Sequence, residues 1–113
     1  MTTVSADHAA PLQHLQVLDL SDELGAYATK LLADLGAHVT KLEPPGGDRM
    51  RRRPPFKQAG SAEISLQFVY YHANKRCITL DLASAAAPGV LKALVSRSDV
   101  VVSSFRPQVG DPL

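Results

Sequence analysis

The chain has 113 residues, room for one domain that buries roughly two-thirds of the surface its extended form exposes. Its composition, 45% hydrophobic and 20% charged, is that of a soluble globular protein. A net charge of +1 exerts no global pull on nucleic acid. A second domain and a membrane span of roughly 20 apolar residues are excluded, and the N-terminus has neither a basic nor an apolar signal region, so the expected compartment is the cytoplasm.

The first element is LQVLDL, residues 15–20, a nearly continuous apolar run of strand length, as expected for a strand covered on both faces. Leu24, Ala28, Leu31, Leu32 and Leu35 then recur along one face of a helix. Ser21 is its expected N-cap, Asp22 and Glu23 suit its first turn, and Gly36 stops it. AHVTKLE, residues 37–43, alternates as a strand and ends at Pro44-Pro45-Gly46-Gly47, which completes a right-handed βαβ crossover with parallel strands.

Residues 44–63 read as a long irregular loop. Between residues 41 and 57 the bases Lys41, Arg49, Arg51, Arg52, Arg53 and Lys57 face only Glu43 and Asp48, so this segment is the candidate polyanion contact. Arginines there can grip phosphate or form a solvated loop. Without interleaved aromatics or a helical frame they do not suggest nucleic-acid recognition.

Residues 65–74 suit a short helix leading to a third strand at RCITL, whose single cysteine, Cys77, is expected to be a small buried side chain. Ser84 is the expected N-cap of a helix with an apolar stripe at Val90, Leu91, Leu94 and Val95. DVVVS, residues 99–103, reads as the fourth strand. The alternation is that of a doubly wound α/β sheet, in which ligands bind beyond the carboxyl ends of the strands. The turn after the first strand has one glycine and two carboxylates, which argues against a dinucleotide site. The histidines lack metal-ligand spacing, with His38 and His72 expected at the surface or a strand edge.

LQVLDLS, YATKLLADLGAHVTKLEPPGGD, NKRCITLDL and SDVVVSSFRP occur in that order over roughly residues 12–107. Together they resemble the front of the family III CoA-transferases, which include formyl-CoA and carnitine CoA-transferases and α-methylacyl-CoA racemases. The resemblance implies a Rossmann-like parallel sheet at residues 15–107, flanked by tails at residues 1–14 and 108–113. It further implies an interlocked homodimer and a CoA nucleotide lying across the strand ends. The implied coenzyme A contacts are Glu23 and Leu24 after the first strand and Pro44 after the second. Leu80, Asp81, Leu82 and Ala83 follow the third, and Ser104, Phe105 and Arg106 the fourth.

The family's chemistry runs through an aspartate downstream of this segment, and none of Asp81, Asp99 and Asp111 matches it, so no catalytic residue and no metal ligand are expected here. Ala83 stands where a lysine is frequent and Ser104 where an asparagine is frequent, which weakens the expected affinity. The resulting expectation is a truncated or split family member, inactive alone, with a partial surface for coenzyme A or acyl-CoA and no tightly bound cofactor. Its expected partner is a second copy or a complementary CoA-transferase chain. The alternative is a non-enzymatic α/β binding or interaction module, or a decayed gene product.

Overall fold

The computed structural model describes residues 10–105. The four expected strands form one parallel sheet: β1 (Gln16–Leu20), β2 (His38–Glu43), β5 (Arg76–Thr79) and β6 (Val100–Ser103), in the spatial order β5-β2-β1-β6. Val17 pairs with Val39 on one side and Val100 on the other, which makes β1 and β2 the central strands. Residues 17–20 of β1 are all buried, as a strand covered on both faces requires. Val17, Val39, Ala33 and Ala37 make the core, with Leu12, Leu15, Leu32 and Val102 packed against it.

In β2 the two-residue period buries Val39, Lys41 and Glu43, while Thr40 and Leu42 are only half-buried. Two charged side chains therefore lie inside.

Helix α1 (Ala26–Asp34) departs from the predicted face. It buries Ala26, Thr29 and Ala33, whereas Leu24, Ala28, Leu31 and Leu35 are exposed and Leu32 is half-buried. Small side chains let the helix approach the sheet closely, and the Thr29 hydroxyl donates to the buried Asp19 at 2.7 Å, so a polar contact sets the rotation of the helix. Ser21 does not cap it. Its hydroxyl donates to Asp19, and a turn closed by the Gly25 N–H on the Asp22 carbonyl intervenes before the helix starts. Gly36 ends α1 as expected, at φ 103°, with the Gly36 and Ala37 N–H groups donating to Ala33 and Leu32.

The segment after β2 is more ordered than a proline- and glycine-rich composition suggests. It holds a 3-10 turn at Arg49–Arg52 and an antiparallel hairpin of β3 (Phe56–Ala59) and β4 (Ala62–Ser65), turned at Gly60 with φ 65°. Helix α2 (Leu66–His72) is capped by Ser65, whose Oγ accepts the Phe68 N–H. Helix α3 (Ala87–Ser96) has no side-chain cap: the Ser84 hydroxyl donates instead to the Asp81 carbonyl, and Ala86 stands at the cap.

Two further expectations are corrected. Cys77 is exposed, because β5 is an edge strand. His72 is buried, because α2 turns it under Met50 and beside Lys75.

Candidate functional site

The carboxyl ends of the four parallel strands open onto one cavity of about 400 Å³. Its walls are mostly apolar, with Leu20, Leu42, Pro44, Met50, Leu82 and Phe105 among them, and a few polar groups converge on it, the usual composition of a small-molecule site.

The first wall is the turn after β1. Asp19 Oδ1 accepts both the Ser21 N–H at 2.9 Å and the Ser21 hydroxyl, while its Oδ2 accepts from Thr29 and from Lys75 Nζ at 3.1 Å. Burial works to raise the Asp19 carboxyl, but the hydroxyls of Ser21 and Thr29 and the Lys75 ammonium bring it below its ordinary value. Gly25 approaches the Ser21 side chain so closely that a Cβ there would collide with it. This turn is joined to the fourth strand's end by the Asp22 N–H, which donates to Ser104 Oγ at 2.9 Å.

The second wall is the loop after β2. Gly46 and Gly47 turn the chain at φ 87° and 89°, and the Gly47 N–H donates to the Pro44 carbonyl. Asp48 then caps the 3-10 turn by accepting the Met50 N–H at 2.7 Å. Glu43 accepts the Asp48 N–H and holds Arg51 bidentately, at 2.6 and 2.8 Å. The Arg51 guanidinium, joined by the Asp48 N–H and opposed by burial, takes the Glu43 carboxyl down to about 2.

The arginine cluster is thus divided by geometry. Arg51 is committed to Glu43 and lies over the Phe68 ring, Arg53 pairs with Glu23, and Arg52 reaches the Gly46 carbonyl. Arg49 lines the cavity with its side chain 74% exposed, approached only by Glu23 at 3.9 Å among the described residues. The third and fourth walls follow β5 and β6. The Leu80 N–H donates to the Glu43 carbonyl, Asp81 Oδ1 accepts the Ala83 N–H, and the Phe105 N–H donates to Ser103 Oγ.

Of the residues singled out in the sequence, Glu23, Pro44, Leu80, Asp81, Leu82, Ala83, Ser104 and Phe105 come together around this cavity. Leu24 does not: it is 83% exposed and does not line the cavity. Arg106 lies outside the described residues. Arg49, from the candidate polyanion segment, also lines the cavity, together with Asp48 and Met50, which were not singled out as contacts. Their signal was available in Gly-Gly-Asp directly after a strand, a tight turn followed by a helix-capping residue.

Each carboxylate on the wall is already engaged: Asp22 by the Leu24 N–H, Glu23 by Arg53, Glu43 by Arg51, Asp48 by Lys41 and Asp81 by the Ala83 N–H. No helix among the described residues is long and apolar enough to cross a membrane.

A family model described as CoA-transferase family III matches residues 12–113. Among curated proteins, the chain is 40% identical over 99 residues to a succinyl-CoA:(R)-benzylsuccinate CoA-transferase subunit, BbsE, of Thauera aromatica. That match covers 87% of this chain and 24% of the relative. It is 44% identical over 97 residues to a succinyl-CoA:mesaconate CoA-transferase of Haloarcula hispanica, covering 84% and 24%. The crystal structure of a CAIB/BAIF family protein from Brucella suis superposes with a TM-score of 0.79 at 33% identity, covering 87% of this chain and 26% of that one. The chain spans about a quarter of the length of the relatives it matches.

Proposed function

Since the chain belongs to CoA-transferase family III, we propose that its strand-end cavity binds coenzyme A or the CoA part of an acyl-CoA, and that transfer needs residues outside this 113-residue segment. The observation that carries this reading is the convergence of all four strand-end turns on one apolar cavity beside an exposed cation, Arg49. Phe105, Leu82 and Pro44 offer apolar surface to a nucleotide base or to pantetheine, and Arg49 offers charge to a phosphate. Of the acids in the turn after β1, Glu23 is neutralised by Arg53, which lowers the turn's repulsion of an anionic ligand.

Covalent acyl transfer requires an accessible, activated nucleophile. The wall carboxylates are each tied into local hydrogen bonds or ion pairs, which supports a chain that binds without completing the chemistry. The reacting group would come from family residues outside this segment, on the same or a complementary chain, and the relative BbsE is itself named as a subunit.

Titration calorimetry of the 113-residue chain with coenzyme A tests the site. Binding is expected to be weak and to fall with added salt, since exposed charge pairs contribute little under screening. Arg49→Ala and Phe105→Ala should each weaken it. Binding unaltered by both changes would remove coenzyme A from this cavity.

A further inference from the structure

Lys41 is the largest fully buried side chain among the described residues, with no exposed side-chain area. It lies on the central strand β2 between Val39 and Glu43, where a Leu or Met would satisfy the same inward position. Its ammonium reaches past the end of the sheet and donates to the Ser21 carbonyl at 3.1 Å, while lying 3.0 Å from Asp48 Oδ2. Ser21 belongs to the turn after β1 and Asp48 to the loop after β2, so one cation joins the two walls of the cavity.

The two ends of the clasp are themselves held. Asp19 takes the remaining polar groups of Ser21, its N–H and its hydroxyl. Asp48 uses Oδ1 to cap Met50 and its own N–H to reach Glu43, and so sets the 3-10 turn that presents Arg49 and Met50 to the cavity. A buried ion pair is seldom more stabilising than apolar residues of similar volume, but it fixes where its partners sit.

We propose that the buried Lys41–Asp48 pair is a positioning device that sets the spacing and order of the cavity's first two walls, with Lys41 itself never touching the ligand. Its consequence for affinity rests on the coenzyme A reading above, whereas its consequence for loop order does not. Both consequences are measurable on the 113-residue chain by amide hydrogen exchange at high dilution and by titration with coenzyme A.

In Lys41→Met and in Asp48→Asn, the amides of Asp48, Met50 and Arg51 should exchange faster by about tenfold or more, with those of Val17, Leu18 and Val39 close to wild type. The Kd for coenzyme A should rise by about tenfold in each single variant, and the double variant should be little worse than either one, as expected for a coupled pair. Unchanged exchange at residues 48–51, or loosening that spreads equally through β1 and β2, would overturn the proposal by showing no role or a general structural one. Should Lys41→Met fail to fold, Asp48→Asn carries the test, because its Oδ1 can still cap Met50. A wild-type chain that binds no coenzyme A would sink the binding reading alone, and the exchange pattern would still decide the clasp.

Discussion

At the scale of single residues, buried charge is organised into compact networks, and the one around Lys75 has a testable consequence. There, Lys75 Nζ lies within 3.1 Å of Asp19, Thr29 and His72. Burial, reinforced by the Lys75 and Lys41 ammonium groups, takes the His72 imidazole from its ordinary 6.5 down to about 4. A buried base with a depressed value contributes stability that is present above the unfolded value and lost as pH falls through the folded one. Between pH 6.5 and 4 the unfolded chain therefore binds the proton that the folded chain refuses. Urea unfolding should show wild type losing about 2 kcal/mol more than His72→Gln across that window. Equal slopes for the two proteins would mean that His72 takes up its proton alike in the folded and unfolded states. Gly25 supplies a second prediction. A Cβ there meets the Ser21 side chain, so Gly25→Ala should cost about 1–3 kcal/mol of unfolding free energy by overpacking, with no offset at this N-cap position, where glycine is preferred to alanine.

At the scale of elements, α1 shows how a sequence pattern can name a helix correctly and still mislead about its face. The leucine spacing identifies the element, but Thr29 is drawn inward by Asp19 and Lys75, which turns Leu31 and Leu35 outward. The outward leucines make little of the domain's packing. Replacing Leu31 and Leu35 by Gln should therefore change unfolding free energy by no more than about 0.5 kcal/mol each, in contrast to the several-fold larger penalty of truncating a core leucine such as Leu18. Cooperative unfolding that collapses in the outward variants would show that α1 is rotated the other way. A distant partner likewise explains Lys41, a charged side chain in phase with the buried Val39, whose ammonium is met by the turn after β1 and by the Asp48 loop.

For the whole molecule, the balance of covered and uncovered apolar surface decides its behaviour. β5 and β6 are edge strands, Val90, Val100, Val101 and Phe105 are exposed, and α3 buries only Ala87. The radius of gyration, 15.9 Å, exceeds the roughly 13 Å of a compact domain of about 100 residues. Parallel sheets are stable when covered on both faces, and an uncovered apolar edge pairs with other chains. Light scattering at micromolar concentration is expected to show self-association that the Leu31 and Leu35 changes reduce, and a cooperatively melting monomer would contradict this. The purified chain is also expected not to turn over acyl-CoA; turnover abolished by Asp81→Ala would restore a catalytic role to the strand-end acid.

Strand positions, the parallel order and the family resemblance were legible in the sequence because they depend on local apolar periodicity, on short links between helix and strand, and on motifs kept in one order. That most of the singled-out residues would line one strand-end cavity was legible for the same reason: a parallel sheet brings the carboxyl ends of its strands together whatever the intervening chain does. The tertiary structure alone decided the rotation of α1, the burial of Lys41 and His72, the exposure of Cys77, and which arginine of residues 49–53 faces the cavity. Each depends on a partner far away in the chain, as Thr29 does on Lys75 and Lys41 on Ser21. Hydrophobic periodicity reports how apolar each position is, but the cost of burying a charge is set by the partner that folding brings to it.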